Sequence, residues 1–160
     1  MRKIFFTLLF LFFIPNFLFS IEPLRPKADT LAPQFSLLDL KGNEINLSDF
    51  KDKPVILFFW TTWCPFCRKE LKVLKDIHPD LLKEGWELLV INVGESTYKV
   101  DNFLKNYALT FEVLLDQGTA VARAYDILGV PTYILIDQKG EIVFKGHYFP
   151  EDAYKDLISR

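Results

Sequence analysis

Cysteine, histidine and methionine are scarce in this 160-residue chain, which holds two, two and one of them. A structural zinc site takes about four ligands. The two cysteines, Cys64 and Cys67, have only His78, directly before a proline, and the distant His147 to complete one, so no metal is expected. No cysteine lies near the N-terminus, which excludes a lipid-modified cysteine at a new chain start. Excess positive charge is missing too: 19 Lys and Arg stand against 21 Asp and Glu, a formal net charge of −2. A nucleic-acid surface is therefore not expected. There is no internal repeat, and no low-complexity stretch beyond a phenylalanine-rich leader. What is present is the composition of one globular domain with a substantial core: 50% hydrophobic and 25% charged residues.

The first twenty residues stand apart. Arg2 and Lys3 precede an apolar run from Ile4 to Ile14 that only Thr7 interrupts. That is a positive region followed by an apolar region of signal-peptide length. Pro15-Asn16 breaks the run before it reaches the roughly 20 residues of a spanning helix, which favours export over a multi-pass membrane protein. Ser20 suits a cleavage site and Leu18 does not, so residues 1–20 are expected to be a signal peptide or an N-terminal membrane anchor. Loss of the leader would leave the remainder at about −4. Residues 21–31, with Pro23 and Pro26 among charges and Pro33 just beyond, read as a linker. The folded domain is expected over 32–160.

Within it, apolar alternation predicts strands at 35–37 and 44–47 around a turn at Lys41-Gly42-Asn43. The unbroken run Val55 to Trp60 predicts a strand buried on both faces. Leu71, Leu74, Ile77 and Leu81 recur at helical spacing after Cys67, with Pro79 expected to bend or divide that helix. Further elements are a strand at 87–93, a helix carrying Val100, Phe103, Leu104 and Tyr107, a strand at 113–115 and a helix at 119–125. A strand at 133–137 turns at Gln138-Lys139-Gly140 into another at 142–144, and a last helix covers 151–158. Alternating buried strands and helices predict an α/β fold, a central mixed sheet with right-handed crossovers and helices on both faces.

The cysteines fall between the buried strand and the helix, in Trp63-Cys64-Pro65-Phe66-Cys67. Disulfide exchange needs one sulfur that attacks as a thiolate and a second close enough to release the mixed disulfide. A two-residue spacer at a helix start supplies both. Cys64, at the exposed helix N-terminus, has unpaired N–H groups and the positive end of the helix dipole to lower its pKa from about 8.5 toward roughly 3.5 to 7.5. Cys67, one turn in, is expected to be the more buried, resolving thiol. A structural staple would close too small a loop to stabilise much, and two unrelated core cysteines would be a coincidence in an exported chain.

The chain resembles the TlpA/ResA-like thioredoxin family, exported redoxins that include reductases serving cytochrome c maturation. The likeness runs from Ala32 to the C-terminus through Ala-Pro-Gln-Phe-Ser-Leu at 32–37, Leu-Ser-Asp-Phe at 47–50, Phe-Trp-Thr-Thr-Trp-Cys-Pro-Phe-Cys-Arg-Lys-Glu at 59–70, Ile-Asn-Val-Gly-Glu-Ser at 91–96 and Gly-Val-Pro-Thr at 129–132. It implies a thioredoxin-like fold with an N-terminal β-hairpin, and a redox-active disulfide between Cys64 and Cys67 in place of any other cofactor. It implies that Pro131 is a cis-proline facing that pair and that the Val130 backbone is free to pair with a client strand. It also makes Trp63, Pro65 and Phe66 substrate-facing. Glu70, otherwise read as a solvated helix charge, becomes an acid that tunes or protonates the pair. One departure is Phe58, which stands six residues before Cys64, where ordinary thioredoxins carry a buried aspartate. The Pro65-Phe66 spacer is another, since it differs from the commoner family form.

The expected activity is reduction of protein disulfides outside the cytoplasm, apocytochrome c being the leading client and a membrane thiol-electron carrier the implied reductant, with the protein acting as a monomer. Two other classes compete. A peroxiredoxin-type thiol peroxidase would use Thr61 and Cys64, but peroxiredoxins place a proline where this chain has Leu57. A partner-binding or metallochaperone-related domain would hold its partner without turnover.

Overall fold

The computed structural model describes residues 31–151, 154 and 155. The expected leader and nearly all of the expected linker lie outside the described residues. Leu31 forms a single antiparallel bridge with Glu141, and the Ala32 N–H donates to the Gly140 carbonyl at 2.8 Å, which fixes where the chain enters the domain.

Seven strands form one mixed sheet: β1 (Ser36–Asp39), β2 (Glu44–Asn46), β3 (Val55–Trp60), β4 (Glu87–Val93), β5 (Val113–Asp116), β6 (Thr132–Ile136) and β7 (Ile142–Gly146). Their order across the sheet is β2-β1-β5-β4-β3-β6-β7. β3, β4 and β5 run parallel, joined by the helices α1 (Pro65–Lys83) and α2 (Thr97–Leu104), while β6 and β7 pair antiparallel on the other side of β3. The expected hairpin of β1 and β2 is present, and β1 also pairs antiparallel with β5, so it extends the main sheet. A short helix α3 (Ala120–Ala124) follows β5.

β3 is buried along its whole length because it is central and covered on both faces. Its period of two sorts the core. Ile56, Phe58 and Trp60 pack with Leu71, Leu74 and Leu81 of α1, and Leu57 and Phe59 pack on the opposite face with Ile134, Val121 and Tyr125.

Two expectations change. Of the two effects expected of Pro79, division does not occur, since α1 continues to Lys83. Pro79 is exposed, so the carbonyl that loses its N–H partner can turn to water at modest cost. α2 stops at Leu104, and Tyr107 lies beyond it, stacked on Phe103 at 5.0 Å between ring centres. Of the last helix, residues 151, 154 and 155 are helical, with the Tyr154 N–H bonded to the Pro150 carbonyl; the rest lies outside the described residues.

Candidate active site

The C-terminal end of β3 delivers the chain directly into α1, and the reacting sulfurs sit at that junction. Cys64 is the residue that caps α1, with extended backbone, and Pro65 takes the first helical position, where its fixed φ is already helical and no N–H is needed. Cys67, one turn on, then lies 5.3 Å from Cys64 between Cα atoms, and the two form a disulfide. The Cys67 N–H donates to Cys64 Sγ at 3.1 Å. On reduction that N–H and the helix dipole would face a Cys64 thiolate, the charge state that attacks disulfides.

Both sulfur-bearing residues are buried, Cys64 at 3% exposure and Cys67 at 0%. The expected order of burial therefore holds by a narrow margin, and Cys64 is not the open thiol its helix-end position implied. Their chain neighbours are open to solvent: Trp63 and Phe66 are 64% and 66% exposed, and Pro65 is exposed between them. Two large apolar side chains next to the cysteines in the chain thus form an exposed apolar rim.

Opposite Cys64 stands the turn before β6. The Val130–Pro131 peptide is cis, and the Val130 carbonyl oxygen lies 3.7 Å from Cys64 Sγ. Cys64, Cys67, Val130 and Pro131 are thus brought together from two segments 66 residues apart. Glu70 lies further along α1, where it accepts a 2.6 Å hydrogen bond from the Tyr133 hydroxyl of β6. Tyr133 is fully buried, and burial together with its bond to Glu70 pushes its phenol far above the ordinary range. It therefore stays a donor. Tyr133 is also the β6 partner of Phe58 in the β3–β6 ladder, their rings 4.6 Å apart. Where ordinary thioredoxins would put a buried aspartate on β3, this core has an aromatic pair, with the nearby carboxylate supplied from α1.

A second carboxylate, which the sequence reading did not single out, supports the segment before the cysteines. Glu95, just beyond the end of β4 and 6% exposed, accepts hydrogen bonds from the Thr62 N–H at 2.6 Å, the Thr62 hydroxyl at 2.7 Å and Asn92 Nδ2 at 2.8 Å. Lys99 Nζ adds an ion pair at 2.7 Å. Burial alone would raise its pKa; the bonds from Lys99, Asn92 and Thr62 outweigh that and hold it below the ordinary carboxylate value. Arg68 of α1 completes the clamp by donating from Nε to the Thr62 carbonyl at 2.9 Å, with its guanidinium over the Phe103 ring. The available signal was positional: an acid directly after a buried parallel strand lies at the same sheet edge as the residues that follow β3.

The two histidines stand apart from each other, one in the core and one at the cis-proline turn. His78 is buried on α1 with Nδ1 2.9 Å from the Thr110 hydroxyl, and His147 Nδ1 lies 2.8 Å from the Pro131 carbonyl oxygen. The peroxidase alternative asks for proline at 57, a central-strand position paired with both β4 and β6, where a missing N–H would break the ladder.

Comparison with known proteins agrees with this geometry. Residues 28–145 match the model of the AhpC/TSA family. The chain is 38% identical over 143 residues to the thiol-disulfide oxidoreductase ResA of Geobacillus kaustophilus, covering 88% of this chain and 82% of that one. It is 43% identical over 112 residues to the protein of the same name from Bacillus subtilis, covering 70% and 63%. Among solved structures, the thioredoxin domain of a thiol-disulfide oxidoreductase from Bacteroides vulgatus superposes with a TM-score of 0.71 at 28% identity, over 82% of this chain and 96% of that one. StoA from Bacillus subtilis does so with a TM-score of 0.66 at 26% identity, over 81% and 98%.

Proposed function

Because the chain belongs to the AhpC/TSA family, and within it sides with proteins named thiol-disulfide oxidoreductase, we propose that it works as a reductant of protein disulfides outside the cytoplasm. The protein is a thiol-disulfide oxidoreductase of thioredoxin-like fold. The observation that carries the reading is the disulfide between the capping residue of α1 and the residue one turn on, with the Val130 carbonyl beside the outer sulfur.

In the reduced protein the Cys64 thiolate attacks one sulfur of a client disulfide. A mixed disulfide forms and the other client sulfur leaves as a thiolate, which takes up a proton. Cys67 loses its proton and attacks Cys64 Sγ. The Cys64–Cys67 bond forms, the mixed disulfide breaks, and the client departs with both sulfurs reduced. Two electrons have moved from protein to client, and an external dithiol must return them. Glu70, held by the Tyr133 hydroxyl, is the carboxylate assigned to proton exchange with the buried Cys67. Trp63, Pro65 and Phe66 provide the apolar surface on which the client rests. A client strand pairs with the Val130 backbone, as peptides do when they extend a sheet edge.

The finer assignments follow the resemblance. Apocytochrome c is the proposed client, a membrane thiol carrier the proposed electron donor, and an exported, extracytoplasmic place of work goes with the leader. Among the described residues no helix is long and apolar enough to cross a membrane. The deciding experiment is the reduction potential of the Cys64–Cys67 pair in glutathione or dithiothreitol buffers, read through Trp60 and Trp63 fluorescence. A value of about −270 mV or lower supports a reductase, and one near about −120 mV makes the protein an oxidant and removes the cytochrome reading. For the client, Cys67→Ser should trap a mixed disulfide with an oxidised Cys-x-x-Cys-His peptide.

A further inference from the structure

Every carbonyl of the turn opposite Cys64 has a distinct neighbour. The Gly129 carbonyl accepts from the Thr132 hydroxyl at 2.7 Å, the Val130 carbonyl faces Cys64 Sγ, and the Pro131 carbonyl is met by His147 Nδ1 at 2.8 Å. A carbonyl only accepts, so Nδ1 carries the proton and the ring's tautomer is set. Among the described residues the Val130 N–H has no acceptor. The outer carbonyls are thus occupied by side chains, and Val130 alone keeps a free donor and an acceptor at the sulfur. His147 reaches this turn because it directly follows β7, whose last residue, Gly146, pairs with Tyr133 of β6. A Cβ at Gly146 would lie 2.5 Å from the Phe144 ring, so a side chain there would have to displace that ring.

We propose that His147 is a positioning residue for client binding: by holding the Pro131 carbonyl it fixes the Val130 backbone in the register at which a client strand pairs, and stops the strand from slipping onto Pro131. This rests on the reading that clients pair with Val130. His147 is itself exposed, and its Nδ1 meets the turn at the Pro131 carbonyl and, more loosely at 3.4 Å, at the Thr132 hydroxyl, so its loss should weaken client binding without altering the sulfur chemistry.

The test is steady-state reduction of insulin disulfides by the full chain carrying His147→Ala, His147→Asn or Val130→Pro, with thermal midpoints recorded for each. His147→Ala should raise KM about five-fold, the worth of one ordinary hydrogen bond, while kcat holds. His147→Asn, whose amide N–H lies close to where Nδ1–H was, should restore KM to within about two-fold. An unchanged KM in His147→Ala beside a raised KM in Val130→Pro, which removes the free N–H, overturns the proposal alone. An unchanged KM in both overturns the pairing reading and the proposal with it. A fall in kcat together with the thermal midpoint, not restored by asparagine, shows His147 to be structural and also overturns it.

Discussion

Replacing Glu95 should be among the costliest single changes outside the cysteines, although the side chain touches neither sulfur. Glu95→Ala would strip an acceptor from the Thr62 N–H, the Thr62 hydroxyl and Asn92 Nδ2, and an ion-pair partner from Lys99. Lys99 is half-exposed and can turn to water; the Thr62 and Asn92 donors are buried. A buried donor left unmet costs about 1–3 kcal/mol, and some of the three will find water in the space vacated, so a loss of about 3–4 kcal/mol is expected. Glu95→Gln keeps one acceptor oxygen but turns an NH2 toward donors, for about 2 kcal/mol. Urea unfolding of the oxidised protein at pH 7 measures both. The pH dependence adds a second check. The folded-state pKa of Glu95 is held below the ordinary glutamate value of about 4.5, so its charged-state stabilisation is complete above that value and is lost as pH falls through the folded value. The gap between wild type and Glu95→Gln should therefore narrow in acid below about pH 4.5 and stay constant above it. A Glu95→Ala penalty under about 1 kcal/mol, or a gap that does not change with acid, would refute the reasoning, because it would mean that the Thr62 segment is held by other contacts.

Cys64→Ser should abolish turnover, and Cys67→Ser should leave single attack but accumulate mixed disulfide, visible on non-reducing gels. Glu70→Gln should slow insulin reduction by about 100-fold if it exchanges protons with Cys67; a loss under two-fold would return Glu70 to a surface charge. Phe58→Ala should cost about 3–5 kcal/mol in urea unfolding, since the ring is fully buried against Tyr133. Burial lowers the pKa of His78, against a smaller opposing effect from Glu87, so stability should fall as pH drops below about 6.5. In His78→Gln that part of the slope should vanish, and an unchanged slope would assign it to other groups.

The alternation of buried runs was enough to predict β3 and β4 to the residue, because strands covered on both faces are written as unbroken apolar runs. β1, β2 and β7 shifted at their ends, where exposed strand edges carry mixed residues. The motif and the resemblance placed the cysteines and the turn at Val130–Pro131. Neither pointed to Tyr133, whose role depends on the antiparallel register that sets it beside Phe58 and under Glu70, nor to His147, which gains meaning only because β7 returns alongside β6. Pairings between distant strands have no local signal. Glu95 lies in the segment Ile-Asn-Val-Gly-Glu-Ser that carries the resemblance, but its burial follows from β4 ending next to β3 and has no signal in that segment.

A buried disulfide whose chain neighbours are exposed aromatics has a consequence for the cell's electron traffic. Collisions with small hydrophilic thiols such as glutathione gain nothing from Trp63 or Phe66 and reach a sulfur that offers hardly any surface. A macromolecule with an apolar segment can instead rest on that rim while its own sulfur finds the gap beside Val130. Shelter of this kind works as electrical insulation does: electrons that any small soluble thiol could otherwise feed into the disulfide are accepted from a partner shaped to make contact, and the circuit is defined by touch more than by potential.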